Sequence, residues 1–548
     1  MNSKTKKRQK KITAPVKTTG KQQLAESKWW TTGNPTTLLL WGIIILTLLV
    51  YLPSLRNAFT NWDDQEYVTN STLIKSFSKA LFSTNVAANY HPLTMISLAI
   101  NYHFFGLHPL PYHLTNLLFH LANTLLVFYF IYLLSEKKAI AALISALFFG
   151  IHPMHVESVA WVAERKDVLF CFFFLSAAIA YLRYMPNKKM TAYFLSLTLF
   201  VLSLLSKSQA VVLPVIFMVM DYFQQRKFTW KSLLEKIPFF ILSIIFGIKA
   251  ITIQKDFGAI GQTEIYTIGQ KICFASYSIL LYLGKLVAPV NLSTFYPYPA
   301  VKSGMPALYA CAPFVLLILS AVVLFLSRRN RMVITGILFF LIPLSLVLQF
   351  VSVGNAIMAD RYSYLPYIGI FFIIGMGCEQ LASAKKNAGG YFSRAVPAII
   401  CIAGIIFSVM TYQRIAVWKN SETLWTDVIS KYPEHTTGFF NRGYYYDKSE
   451  QYDKALDDYS RAIVLNPSYY DAYFNRGNVY FRKKELDSAL VDYTKAIELQ
   501  PNSFNAWHNR SVTYGNMKNL PKALDDETRA IQLGQTEDKV YMDWLHQK

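Results

Sequence analysis

The chain has 548 residues and a formal net charge of +21; 53% of it is hydrophobic and 15% aromatic, and only 16% is charged, where a soluble domain would carry about 25%. That balance excludes a water-soluble globule for most of the length. It also excludes a nucleic-acid-binding face as the meaning of the positive charge, because Lys and Arg fall in short clusters between apolar runs and in the N-terminal KTKKRQKK.

In chain order, the basic tail of residues 1–35 reads as cytoplasmic. About thirty polar residues precede the first apolar run, TLLLWGIIILTLLVYLPSL, and no small-residue cleavage site follows it, the pattern of an uncleaved signal anchor. From 36 to 413 the sequence predicts an all-α polytopic bundle of about 11 spans, near 36–55, 112–134, 139–152, 168–184, 190–206, 208–223, 237–254, 307–327, 332–351, 364–383 and 395–413. Lys137 and Lys138, Lys188 and Lys189, Arg226 to Lys236, Arg328 to Arg331, and Lys385 to Arg394 mark the segments that the positive-inside rule assigns to the cytoplasm. A further span at 272–289 would put the Arg328 cluster outside, so that stretch is expected to be partly inserted or interfacial, ending at Pro289. An odd count from a cytoplasmic N-terminus sends the acidic stretch NWDDQEY, residues 61–67, to the outer side together with everything after 413. Cys171, Cys273, Cys311, Cys378 and Cys401 lie in or beside apolar segments, with no zinc or disulfide spacing.

Ionisable and amide side chains are costly in hydrocarbon, so where they occur among the spans they are functional candidates. His113, Asn116, His120 and Asn123 recur at steps of three, four and three and share about 80° of a helix surface, either as a cavity wall or as inter-helix hydrogen bonds. HPMHVESVAWVAERKD, residues 152–167, reads as an outer polar loop lining a substrate cavity. His152, His155 and Glu157 do not have a standard zinc spacing, and Arg165 or Lys166 is a candidate for an anion. Lys207 in SKSQ and Arg361 in ADRYSYLP sit between apolar runs; a guanidinium at membrane depth suits a phosphate there, or pairs with Asp360. Asp63 and Asp64 could take a proton from an incoming hydroxyl while such a cation holds a phosphate leaving group. Any divalent metal would fall to the same two acids, and the sequence leaves metal use open.

A connecting helix is expected over 414–435, where SETLWTDVISKYP resembles a lone half repeat. Beyond it, NRG at 441–443 and 475–477 and NRS at 509–511 recur every 34 residues, as do Ala455, Ala489 and Ala523, and Tyr446, Tyr480 and Tyr514. This is the tetratricopeptide period. It predicts repeats at about 436–469, 470–503 and 504–537 within 436–548, the third weakened by Ser511 and Glu527 as a terminal cap. Such an array offers a face to a peptide or partner protein.

Several segments together resemble the transmembrane and tetratricopeptide-repeat protein O-mannosyltransferases and their bacterial relatives, of the glycosyltransferase C superfamily: WDD at 62–64, HPLTMISLAINYHFFG at 91–106 leading to PYHLTNLLFHLANTLL, FGIHPMHVESVAWVAERKDVL, LLSKSQAVVLPV and DRYSYLP. The resemblance implies a membrane enzyme that moves a sugar, mannose or another hexose, from a polyprenyl-phosphate carrier to Ser or Thr hydroxyls of exported proteins, with inversion. It carries the acid's role to Asp63 or Asp64, with Asp63 preferred as base and Asp64 as its positioning partner. It carries the lipid-phosphate contact to Arg361 and Lys207, helped by Arg165 and Tyr362. His91, His113, Asn116, His120, His152, His155 and Glu157 are then expected to line the cavity, and the repeats to meet the acceptor polypeptide. Two departures from the family pattern stand out: Ser208 follows the SK lysine where an acid is common, and the acid before Arg361 is the shorter Asp360. The short array suggests a bacterial inner-membrane protein with its site and repeats on the outer face. A lipid or polysaccharide acceptor, or a non-enzymatic membrane-anchored scaffold, are the alternatives.

Overall fold

The computed structural model describes residues 34–258, 266–299, 304–350, 356–384 and 391–546; the KTKKRQKK tail and the basic stretch at 385–390 lie outside them. Among the described residues the regular structure is helical apart from a short antiparallel pairing of Tyr296–Pro297 with Ala356–Met358 and an isolated bridge between Val86 and Asn89. A helix begins wherever an apolar segment was expected. Among the described residues, six helices are long and apolar enough to cross a bilayer: Pro35–Arg56, Pro109–Leu134, Val162–Asn187, Trp230–Asp256, Ala307–Ser327 and Ala395–Val417. Met190–Ser206, Ser208–Phe223, Arg331–Ser345 and Tyr367–Ser383 are shorter, and Ala139–Ile151 continues after a 56° bend as Pro153–Ala160. The segment expected to be interfacial is a 20-residue helix, Ile268–Val287. Its buried Lys285 donates to the carbonyls of Val290 and Asn291 at 3.0 and 3.1 Å, satisfying acceptors just past the helix end.

Local chemistry sets these boundaries. Asn34 accepts the N–H of Thr36 at 2.9 Å and Pro35 takes the first helical position, where its missing N–H costs nothing. On Ala307–Ser327 the side chains of Leu308, Phe314, Leu317, Ile318 and Phe325 are exposed, a ridge suited to lipid rather than water. The polar side chains turn the other way: His113, Asn116, His120 and Asn123 on Pro109–Leu134 are all buried.

Those side chains hold the most enclosed part of the molecule. Every residue from 151 to 171 is buried, so HPMHVESVAWVAERKD is a packed plug and not the cavity-lining outer loop expected of it. Pro153 makes the bend, because its ring cannot continue the preceding helix yet suits the first turn of the next. Irregular backbone at this depth must find its partners within the protein. Asn116 Nδ2 donates to the Trp161 carbonyl at 2.9 Å, Asn123 Nδ2 to Val168 at 2.8 Å, His120 Nε2 to Gly150 at 3.0 Å and Thr411 Oγ1 to Ile151 at 2.6 Å. Of the two readings of the His/Asn stripe, Asn116, His120 and Asn123 take inter-segment hydrogen bonding.

The last apolar helix runs to Val417 and is followed by a linker helix, Ser421–Lys431, and then by three helix pairs: Thr436–Lys448 with Tyr452–Leu465, Tyr470–Arg482 with Leu486–Leu499, and Phe504–Asn516 with Leu520–Gln532. The arginine of each NRG or NRS triplet clamps its pair. Arg442, Arg476 and Arg510 grip Asp458, Asp492 and Asp526 with two hydrogen bonds each at 2.7–2.8 Å, the bidentate fork that only a guanidinium supplies. Gly443 and Gly477 let the paired helix close in: a Cβ on Gly477 would meet the Tyr493 ring at 2.9 Å. In the third pair, Ser511 answers to a final helix, Lys539–His546, while Glu527 answers to the first helix of its own pair. Ser511 Oγ meets Tyr541 OH at 2.9 Å, and Glu527, fully buried, pairs with His508 at 2.8 Å.

Candidate active site

NWDDQEY is a bend that runs into the short π-helix Gln65–Thr69, and its two aspartates do different things. Asp64 is buried; its Oδ2 accepts the N–H and the hydroxyl of Thr60 at 2.8 and 3.0 Å, and its Oδ1 accepts the N–H of Ala163 at 2.8 Å. Burial pushes the Asp64 carboxyl up to about 7 against these hydrogen bonds, the nearby Asp63 charge adding slightly. Asp63 points the other way, with its side chain 29% exposed and its carboxylate 3.3 Å from Lys166 Nζ.

Lys166 opens a charged cluster built from three separate loops. At its centre is Glu164, fully buried, with Lys166 at 3.2 Å, Arg361 Nε at 3.2 Å and Lys207 at 3.8 Å. Arg361 is further held by Glu157, which accepts its backbone N–H at 3.1 Å and its Nη1 at 2.5 Å; its guanidinium lies over the Tyr362 ring at 4.9 Å. Lys207 is paired with Asp167, which Ser158 also contacts at 3.0 Å. Three cations thus face four carboxylates, so each cation at this depth has at least one acid beside it. The cations retain some access: the Arg361 and Lys207 side chains are 18% and 13% exposed. A shallow recess beside them is lined by Asp167, Phe170, Gln209, Arg361, Tyr362 and Pro366, with cation, aromatic and apolar surface together.

The structure therefore brings Asp63, Arg361, Lys207, Tyr362 and Glu157 to one place and sends other expected residues elsewhere. Arg165 turns away from the cluster. Its guanidinium is fully buried and spends its donors on Asn116, on Ser97 at 2.6 Å, and on Asn101 and the Tyr112 carbonyl at 2.9 Å, so it braces helices and cannot meet a phosphate in this arrangement. His120 bridges the Tyr364 hydroxyl and the Gly150 carbonyl, at 2.8 and 3.0 Å, and Asn116 holds Trp161; neither lines the recess beside Arg361. His152 donates to the Leu286 carbonyl at 3.0 Å and His155 to Phe149 at 2.9 Å. His113 is buried, and His91, also buried, stacks on Tyr67 at 5.2 Å, the ring over which Lys166 lies at 4.7 Å. Of the expected cavity residues, His91 and Glu157 adjoin the charged cluster.

The donor set does not suit a divalent ion. Asp64 faces only hydrogen-bond donors and Asp63 faces an ammonium, and among the described residues no three His, Cys, Asp or Glu side chains gather into a site.

Asn61 and Trp62 fall inside the NWDDQEY and WDD motifs, which assign them no role; they attach the loop to the linker helix and the repeats. Asn61 N–H donates to Ser421 Oγ at 2.8 Å, Asn61 Nδ2 to the Asn441 carbonyl at 2.6 Å, and Trp425 Nε1 to Asn61 Oδ1 at 2.7 Å. Trp62 stacks on Trp161 at 4.7 Å, and Trp161 on Trp418 at 5.2 Å. Isolated Trp residues in a sequence this aromatic carry no periodic signal, which is why only the fold reveals them.

Fold and site together define a multi-pass membrane protein whose charged interhelical cluster abuts a tetratricopeptide solenoid. The tetratricopeptide repeat family matches residues 470–503, and related repeat families match 443–484 and 492–525. Over most of its length the chain is similar to protein O-mannosyl-transferases. It is 26% identical over 459 residues to F38B6.6 of Caenorhabditis elegans, covering 78% of this chain and 62% of that protein. It is 22% identical over 441 residues to human TMTC1, covering 72% and 50%, and 24% identical over 460 residues to human TMTC4, covering 70% and 60%. The chain thus spans between half and about three fifths of the length of these relatives. Among solved structures, the Arabidopsis OM64 TPR domain matches with 24% identity and a TM-score of 0.20, covering 20% of this chain and 93% of that one.

Proposed function

We propose that the chain is an integral-membrane glycosyltransferase that moves mannose, or another hexose, from a polyprenyl-phosphate carrier to Ser or Thr hydroxyls of exported proteins, with inversion. The observation that carries this reading is that a reachable carboxylate, Asp63, bridged to Lys166, shares one cluster with the partly exposed cations Lys207 and Arg361, all three cations meeting at the buried Glu164. The similarity to protein O-mannosyl-transferases agrees with it. Asp63 Oδ takes the proton of the acceptor hydroxyl as that oxygen attacks the anomeric carbon from the face opposite the phosphate. The bond from the anomeric carbon to the phosphate oxygen breaks, and the polyprenyl phosphate leaves with its charge held by Arg361 and Lys207. Glu157 and Glu164 aim the guanidinium, and the Tyr362 ring flanks it. The solenoid contacts the acceptor polypeptide. The proposed setting is a bacterial cytoplasmic membrane, with the N-terminus inside and the site and repeats outside. The test is transfer by the purified full chain from polyprenyl-phosphate mannose to Ser/Thr peptides, with mass spectrometry of envelope proteins from a strain lacking it. Unchanged glycopeptides alongside altered glycolipids would shift the acceptor to a lipid or polysaccharide.

A further inference from the structure

The linker helix Ser421–Lys431 touches both halves of the candidate site with two different faces. Ser421 and Trp425, four residues apart, share one face and hold the Asp63 half: they engage Asn61 at 2.8 and 2.7 Å, and the Trp425 ring lies 5.2 Å from Trp62. Asp427 and Lys431, also four apart, lie on another face, about 200° further round from Trp425. Asp427 Oδ2 accepts from Arg414 Nη1 at 2.9 Å, and Arg414 Nη2 is 3.8 Å from Asp360 Oδ2. Asp360 directly precedes Arg361 and is fixed from its other side by the Tyr296 hydroxyl at 2.6 Å. Trp425 and Asp360 are buried, and the Arg414 side chain is only 8% exposed, so these links are shielded from water and screened little by salt. On the solenoid side, Asn61 also reaches the Asn441 carbonyl in the first repeat helix.

We propose that this linker helix is a positioning element that couples the Asp63 loop to the Arg361 loop, and both to the first repeat, so that the base and the phosphate-holding cation keep register through the solenoid's own root. The assignment of those two loops as base and phosphate holder rests on the function proposed above; the mechanical coupling does not. Binding of an acceptor polypeptide along the repeats would then be felt at both ends of the reaction centre, through Asn441 and through the linker helix. Ser421, Trp425, Asp427 and Arg414 are positioning residues, since each acts through Asn61 or Asp360.

The test reads each half while perturbing the other. In the full chain reconstituted in lipid nanodiscs, Asp427→Asn weakens the Asp360 side and Trp425→Phe removes the hydrogen bond to Asn61 while keeping an aromatic ring. If Trp425→Phe does not accumulate, Ser421→Ala takes its place. Coupling predicts that amides at 58–66 exchange about tenfold faster in Asp427→Asn, and those at 356–366 about tenfold faster in Trp425→Phe. Loosening confined to the half each residue touches would overturn the proposal and leave the helix as two independent anchors. In parallel transfer assays, coupling predicts that Asp427→Asn lowers kcat as well as raising the donor KM, and that Trp425→Phe raises the donor KM as well as lowering kcat; each variant moving only the constant of its own half would overturn the proposal. Equal loss of kcat with both KM values unchanged means fewer folded molecules and counts against it. A wild-type chain inactive with polyprenyl-phosphate mannose would count against the proposed function alone, the exchange data still deciding the coupling.

Discussion

Asp64 Oδ1 accepts the backbone N–H of Ala163 at 2.8 Å, ninety-nine residues along the chain. That bond ties the first interhelical loop to the plug residue preceding Glu164, and so sets Asp63 beside Lys166.

The two aspartates should therefore fail differently. Asp63→Asn keeps the shape and loses the proton acceptor, so transfer is expected to fall at least about 100-fold with an unchanged melting temperature. Asp64→Asn must turn an NH2 group toward either Ala163 N–H or the Thr60 donors, and should lose about 1–3 kcal/mol of stability along with activity. Paired melting curves and transfer assays separate the two; full activity in Asp63→Asn would remove it as base.

Asp64 also gives a pH dependence of known sign. Its folded carboxyl lies at about 7 against an ordinary 3.8, so between these values the folded state holds the proton more tightly than the unfolded one. The stability from this group is fully present below about 3.8 and is lost as pH rises through about 7, with a ceiling of about 4 kcal/mol. Melting of the wild type should fall more steeply from pH 5 to pH 8 than that of Asp64→Asn. Parallel curves would show that Asp64 does not titrate in this window.

The helices and the repeats were legible in the sequence because apolar run length and a 34-residue period are local signals. The site was legible only in part. Asp63, Arg361 and Lys207 could be marked as charges in the wrong solvent, but Arg165, one residue before Lys166, could not be told from it by that criterion. The start of the helix at Arg165 decides their roles: successive side chains there diverge by about 100°, sending Arg165 to Asn101 and Lys166 to Asp63. The plug at 152–167 was misread for a related reason, since polar residues that satisfy buried backbone look the same in a sequence as polar residues that face a ligand.

Arg361 should not tolerate lysine. Arg361→Lys keeps the charge but cannot hold Glu157 and Glu164 together through Nη1 and Nε. Losing one charge-assisted contact predicts an increase in the lipid-donor KM on the order of 10- to 100-fold, with a smaller change in the acceptor KM. Steady-state kinetics with the donor varied check it; an unchanged donor KM would move the phosphate contact to Lys207.

The repeats make a prediction independent of activity. Gly477 sits where a Cβ would come 2.9 Å from Cε1 and 3.0 Å from Cδ1 of Tyr493, a ring that is itself buried. Gly477→Ala must therefore push the second helix of its pair outward or turn the ring, straining the clamp between Arg476 and Asp492 that spans the same crossing. Ala favours the helix by about 1 kcal/mol over Gly, and overpacking costs about 1–3 kcal/mol; with buried aromatic atoms this close, overpacking should win. In the third pair the glycine position already holds Ser511 and the tyrosine position holds Glu527, and Ser511 Oγ donates to the Ala523 carbonyl at 2.7 Å. Ser511→Ala keeps the Cβ that this crossing accommodates and should melt closer to wild type than Gly477→Ala does. Thermal unfolding of the full chain, followed by hydrogen exchange in 470–499 and 504–532, ranks the two variants; equal stability for both would mean that the tyrosine ring yields without cost.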